Sequence, residues 1–190
     1  IMRTQGSRLE ILSESLLSLA GQTSEDFEVL LMVHALNDEA VAGVTRLVGP
    51  FSPAFSRRVR IISVSGGDRS RPLNEGLRAA LGRYVAFLDD DDVVTADWVE
   101  TFLDGAAERP GAIIRTVTAD QEVRKTDSVV GYEPLSGAKV DEGRIEFSMV
   151  RHLEINRTPI CAFAAPVDAL RAYSIEFDED LAVLEDWHFF

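Results

Sequence analysis

YVAFLDDDDVV, Tyr84 to Val94, runs from a short segment of aromatic, aliphatic and β-branched residues straight into four consecutive aspartates, Asp89 to Asp92. A strand that ends on four like charges poses an electrostatic problem. Crowded carboxylates repel one another and hold their protons more tightly unless positive charge lies among them. On the run alone two readings stand open. Aspartate favours turns and avoids strands, so the four can form a solvated turn; alternatively they gather around a divalent cation. The segments on either side bear on the choice.

Upstream of Tyr84, apolar runs alternate with helical patterns. SRLEILSESLLSLAGQ sets Leu9, Leu12, Leu16 and Leu19 at helical spacing, with Ser7 and Glu10 in capping-box positions and Gly21 as a stop. FEVLLMVHA, Phe27 to Ala35, reads as a strand buried on both faces. A helix is expected near Glu39 to Val48, then a proline-containing loop, then a strand from Val59 to Val64. After the loop SGGDRSRP, Pro72 is placed to open a helix that runs to about Leu81, and Tyr84 to Leu88 is the next strand. This alternation predicts an α/β fold with a mostly parallel, doubly wound, Rossmann-like sheet flanked by helices. In such sheets ligands bind outside the carboxyl ends of the strands. Arg3 and Thr4, Asn37 and Asp38, SGGDRS and the aspartates all fall at those ends, which weakens the solvated-turn reading.

Beyond the aspartates, TADWVETFLDGAAERP predicts a helix capped by Thr95, with Asp97 and Glu100 in early turns where the helix dipole favours acids. AIIRTVT and EVRKT are expected to pair as strands about a turn at Asp120. DSVVGYEPLSGAKVDEGRIEF has no clear period and is expected to be irregular. PICAFA reads as a strand, PVDALRAY as a short helix begun by Pro166, and LEDWHFF as the start of another helix.

At 190 residues, 46% hydrophobic and 27% charged, the chain has the size and composition of one globular domain. Its formal charge of −13 argues against a general nucleic-acid or anionic-membrane surface. A phosphate-bearing ligand would therefore need a local solution, a metal or a few placed arginines. Cys161 is the single cysteine, set in the apolar PICAFAAP, so an intrachain disulfide is excluded and a reducing, cytoplasmic compartment is expected. No window reaches the roughly 18 apolar residues of a membrane span. IMRT at the start and EDWHFF at the end read as elements cut in the middle, so a longer polypeptide is expected. There is no GxGxxG after the first strand and no GxxxxGK[ST], and His34, His152 and His188 lack zinc-ligand spacing. Four carboxylates approach phosphates only with a cation such as Mg2+ or Mn2+, which prefers oxygen ligands and bridges carboxylates to substrate phosphates.

LSESLLSLAGQTSEDFEVLLMV, LNEGLRAALGRYVAFLDDDDVV and FDEDLAVLEDWHFF together resemble the inverting, nucleotide-sugar-dependent glycosyltransferases of family 2, with the GT-A fold. The resemblance covers nearly the whole chain and is most specific from Asn74 to Asp92 and at the terminal Glu185–Asp186 pair. It implies a DxD motif in which Asp89 faces the nucleoside, Asp91 is the metal ligand assisted by Asp92, and Asp90 fills the variable position. It implies Asp186 as the catalytic base, Arg3 and Thr4 as lining of the nucleotide pocket, and Arg71 and Asn74 near the diphosphate. The implied cofactor is Mn2+ or Mg2+, the donor a nucleoside-diphosphate sugar, and the acceptor a carbohydrate, lipid or small-molecule hydroxyl. One departure stands after the second strand. The family carries an acidic turn there, whereas this chain reads VHALNDEA, with His34 and Ala35 at the acidic positions and Asp38 displaced. Asp38 is the expected contact to the base or ribose. A different class remains beside the enzyme, a catalytically idle GT-A-like module that binds a nucleotide or a partner. A receiver-type acidic pocket ranks below both, because neither Lys125 nor Lys139 stands at a late strand end.

Overall fold

The computed structural model describes residues 1–34, 37–126, 132–140 and 145–189. In chain order come β1 (Met2–Thr4), α1 (Leu9–Ala20), β2 (Val29–Val33), α2 (Asp38–Val48), the short α3 (Pro53–Ser56), β3 (Val59–Ser63), α4 (Arg71–Ala79), β4 (Tyr84–Ala86), β5 (Leu88–Asp89) and α5 (Trp98–Glu108). The later half holds β6 (Ile114–Arg115), β7 (Ala119–Asp120), β8 (Val123–Lys125), β9 (Tyr132–Pro134), β10 (Lys139–Val140), α6 (Met149–His152), β11 (Phe163–Pro166), α7 (Val167–Ala172) and α8 (Glu185–Phe189).

Four strands form a parallel sheet in the order β3-β2-β1-β5. All five residues of β2 are buried, as its unbroken apolar run requires of a strand covered on both faces. Alternation along β2 divides them: Val29, Leu31 and Val33 pack with Leu12, Leu16, Val44 and Val48, while Leu30 and Met32 pack with Val64 and Ala80. The strand expected from Tyr84 to Leu88 is divided at Phe87. β4 joins β11 in an antiparallel sheet ordered β4-β11-β6, whereas β5 joins β1. Phe87, fully buried, stands in a second core with Leu73, Leu77, Phe163 and Phe177. Passing from one sheet to the other brings Asp89 to the carboxyl end of the parallel sheet, next to Arg3.

Several local expectations are corrected. The Ser7–Glu10 capping box does not form: α1 begins at Leu9 with Arg8 at its N-cap and no side-chain cap bond. Gly6 takes a left-handed turn at φ 69 just before, and Arg8 sends its guanidinium to the aspartates instead. Thr95 does not cap α5, whose N-cap is Asp97. AIIRTVT and EVRKT do not pair with each other. Arg115 is anchored on Thr158 and on main-chain carbonyls, which draws β6 onto β11. β7 pairs with β10 and β8 with β9 instead. PICAFA opens with a 3-10 turn, Ile160–Ala162, before β11 begins. The stretch expected to be irregular contains β9 and β10; its residues 127–131 and 141–144, like Ala35 of the first-half strand, lie outside the described residues.

Candidate active site

Parallel register sets Arg3 opposite Asp89, and Arg3 Nε donates to Asp89 Oδ1 at 3.2 Å. Thr4, one residue on, points to the other face. Its hydroxyl donates to Asp90 Oδ2 at 2.5 Å, in the range of a charge-assisted bond. Arg8 grips two aspartates at once, Asp90 Oδ1 at 2.6 Å and Asp91 Oδ2 at 2.9 Å, and Ser15 Oγ donates to the Asp90 carbonyl at 3.1 Å. Asp90, only 9% exposed, therefore ties the run to β1 and α1. Asp91 is the open member, its side chain 47% exposed.

Asp92 turns the other way, onto the thiol of Cys161. Burial pushes the carboxyl of Asp92 up, against the pull of that hydrogen bond, and the Asp91 charge adds to the rise. Burial also raises Asp89; Arg3 opposes it and the charges of Asp92 and Asp91 reinforce it. The Cys161 thiol is itself pushed up to about 12 by burial and by Asp92, so it stays protonated and unreactive.

Arg3 reaches a second carboxylate from a distant segment. Its Nη1 donates to Glu185 Oε1 at 2.7 Å and to the Arg69 carbonyl at 3.0 Å, and Arg69 Nε closes on the same Glu185 oxygen at 2.7 Å. Glu185 is 2% exposed. Asp186 looks elsewhere: Asn156 Nδ2 donates to its Oδ2 at 2.9 Å and the Trp187 amide to its Oδ1 at 2.9 Å. Trp187 in turn donates its indole N–H to the His152 carbonyl at 2.7 Å and stands as a wall rather than an open platform.

Of the residues expected from sequence, Arg3 thus meets Asp89 and Thr4 meets Asp90, Asp91 is joined to Asp90 through Arg8, and Asp92 faces Cys161 instead; Arg3 also joins the run to the segment that carries Asp186. Asn74 is 1% exposed and exchanges amide hydrogen bonds with the main chain of Phe177, while donating also to Glu179 at 3.0 Å. Arg71, the first residue of α4, lays its stem on Gly67, where φ is +74 and an added Cβ would come within 2.3 Å of Arg71 Cδ. Asp38 begins α2 on the exposed surface, and Asn37 caps that helix through Ala40. Arg8, Arg69 and Asn156 were not singled out from sequence. Arg69 lies in the SGGDRS loop already placed at a strand end; nothing in the chain pattern marks Arg8 or Asn156. A cavity of about 1010 Å³ lies among Phe27, Leu30, Tyr84, Ala86, Trp98 and Phe102 at the amino ends of the strands and holds none of this chemistry.

The family described as glycosyl transferase family 2 matches residues 5–181 of this sequence. The chain belongs to that family. Among curated relatives, the uncharacterized glycosyltransferase EpsJ of Bacillus subtilis (strain 168) is 30% identical over 88 residues, 45% of this chain and 23% of EpsJ. The putative glycosyltransferase EpsH of the same organism is 25% identical over 105 residues, 55% of this chain and 29% of EpsH. The chain thus spans less than a third of the length of either relative. Among solved structures, S. aureus TarS 1-349 in complex with UDP-GlcNAc superposes with a TM-score of 0.71 at 18% identity, over 99% of this chain and 50% of that one. The mannosyltransferase PcManGT from Pyrobaculum calidifontis, in complex with GDP-Man and Mn2+, gives 0.67 at 16% identity over 99% and 49%. At such identity the match establishes the fold, which is GT-A.

Among the described residues no group of three or more His, Cys, Asp or Glu side chains is arranged to hold a metal ion. A Mg2+ or Mn2+ site shared with a nucleotide does not need such a cage, since one or two carboxylates and the substrate phosphates complete it. Asp91, exposed and held among the described residues by the equally exposed Arg8, fits that role.

Proposed function

We propose that this chain is the donor-binding and catalytic unit of a hexosyltransferase-type enzyme that moves a sugar from a nucleoside diphosphate to an acceptor hydroxyl with inversion. The single observation that carries the reading is Arg3. Its guanidinium bridges Asp89 and Glu185, at 3.2 and 2.7 Å, and so joins the aspartate run to the Glu185–Asp186 pair across the length of the chain.

In this reading Asp186 accepts the proton of the acceptor hydroxyl as that oxygen attacks the anomeric carbon, and one in-line displacement inverts the centre. Asn156 and the Trp187 amide aim the Asp186 carboxylate. A divalent cation held by Asp91, with Asp92 turning from Cys161 to assist, would supply charge stabilisation for the departing diphosphate. Asp89 faces the nucleoside, with Arg3, Thr4 and Asp90 forming the wall behind it; Arg71 and Asn74 shape the diphosphate loop, and Asp38 contacts the base or ribose. The neighbours' bound UDP-GlcNAc and GDP-Man support a nucleotide-sugar donor while differing in base. The acceptor is a carbohydrate, lipid or small-molecule hydroxyl. Cys161, a single free thiol, supports a cytoplasmic site of action.

The idle-module reading has one observation in its favour: Arg8 already supplies a cation to Asp90 and Asp91. Loss of turnover in Asp186→Asn tells the two apart, and calorimetry with UDP, GDP and dTDP, with and without Mn2+, tests the metal role. The enzyme reading expects a nucleoside diphosphate to bind only with the metal, and Asp91→Asn to abolish that dependence. Equal affinity after chelation would remove the metal role.

A further inference from the structure

We infer that Glu185 is a positioning residue for Asp186, a role that rests on the reading of Asp186 as the base. Four chain segments converge on it. The end of β1 (Arg3), the loop before α4 (Arg69), the end of β5 (Asp89, through Arg3) and the first turn of α8 meet in one network of ion pairs. Both guanidiniums close on a single oxygen, Glu185 Oε1, each at 2.7 Å.

A side chain whose only task was to close the core would not be charged here. Removing a carboxylate from water costs several kcal/mol before its partners repay it, and an apolar residue of the same volume often serves stability as well. What two converging guanidiniums add is direction, since charge-assisted bonds from two separate segments hold one carboxylate oxygen in place.

The backbone points the same way. Leu184, immediately before Glu185, is held at φ 64, a left-handed conformation that a branched, non-glycine residue rarely adopts. Its side chain is 54% exposed, so no burial of its own holds it there. Such strain persists only where the surroundings over-determine it. The Glu185 ion pairs on one side, and the Asn156–Asp186 and Trp187–His152 hydrogen bonds on the other, are what do so. Glu185 accordingly fixes the turn, and Asp186, one residue on, is aimed by it.

The test has an arm that needs no nucleotide. The chain has two tryptophans, Trp98 and Trp187, and Trp187 reports the turn directly. In protein carrying 5-fluorotryptophan, with Trp98→Phe to assign the signals, Glu185→Gln should move or broaden the Trp187 fluorine resonance and leave that of Trp98 in place. Glu185→Asp, which keeps the charge, should bring it part of the way back. An unmoved Trp187 resonance overturns the inference. If Glu185→Gln does not fold, Arg69→Gln removes one of the two guanidiniums from the solvent side and must shift Trp187 in the same sense, or the inference fails.

The second arm follows release of UDP from UDP-GlcNAc, or GDP from GDP-mannose, with Mn2+. Glu185→Gln should lower turnover roughly 10-fold or more, as misplacement of a reacting group does, with nucleotide affinity unchanged and the acid limb of the pH–rate profile retained. Loss of that limb in Glu185→Gln, with its survival in Asp186→Asn, would make Glu185 the base instead. Wild-type protein that binds no nucleotide would count against the proposed function, and the fluorine signal would then decide on Glu185 alone.

Discussion

On one side of the Glu185–Asp186 turn, charge meets charge: Arg3, Arg8 and Arg69 interlock with Asp89, Asp90, Asp91 and Glu185. On the other side, Ile145, Phe147, Met149, Val150, Leu153 and Ile155 are 40 to 72% exposed, and several polar contacts run from side chains to main-chain carbonyls, from Arg115 to Ile145 and Arg157 and from Trp187 to His152. The first surface suits a ligand recognised by charge and the second one recognised by shape and contact. Asp186 sits between them, so substitutions on the two sides should separate donor binding from turnover.

Asp186→Asn is expected to have the largest effect. Loss of a positioned base typically costs about 10²- to 10⁴-fold in rate. Donor affinity should stay nearly unchanged, because the side chain's hydrogen bonds go to Asn156 and the Trp187 amide rather than to the aspartate run. Steady-state turnover, paired with calorimetric donor binding, measures both. Full turnover in the variant would dissolve the contrast between the two sides.

On the charged side, Arg3→Met should strip both Asp89 and the buried Glu185 of a partner. Breaking a buried pair by removing one member costs roughly 3–5 kcal/mol, to be read as a lower midpoint in urea unfolding. A midpoint within error of wild type would show that the network does not hold the two segments together. Asp90→Asn removes the charge that Thr4 and Arg8 both address and should cost about 1.5–3 kcal/mol. The same change at Asp91 should spare stability and abolish metal-dependent nucleotide binding.

Much of this was legible in the chain. The runs that make β2 and β3, the leucine spacing of α1 and the aspartates at the end of β5 are local patterns, and a parallel sheet brings its carboxyl ends together wherever those patterns occur. The aspartates pointed to a site for the same reason, since four like charges at a strand end conflict with burial. Arg8 was not legible, because its role depends on a glycine turn that cancels the capping box and on a contact with Asp90, 82 residues away. Asn156 depends on the fold of the later half, where two-residue strands pair with partners that no period marks. The division at Phe87 was hidden for a different reason: both halves of that strand are apolar, and only the second sheet shows where one ends.

The smallest expected effects concern pH, and there the two sides should differ in sign. Asp89 and Asp92 have carboxyls raised by burial, so from 3.8 upward the folded chain holds more protons at these groups than the unfolded chain does. Their contribution to stability therefore falls as pH rises through the folded values. His152 is lowered by burial, with the Arg115 charge adding to the fall and Asp186 opposing it. Below 6.5 the unfolded chain takes up that proton first, so the His152 contribution is lost as pH drops from 6.5 toward the folded value. Urea unfolding of wild type, Asp92→Asn and His152→Phe across pH 4 to 8 resolves the two. Asp92→Asn should flatten the decline above 3.8, whereas His152→Phe, which keeps a ring beside Phe147 and Trp187, should flatten the acid-side loss below 6.5. If both variants changed the slope in the same direction, the two sides of the turn would share one electrostatic environment, and the division of the site into a charged and a contact half would fail with it.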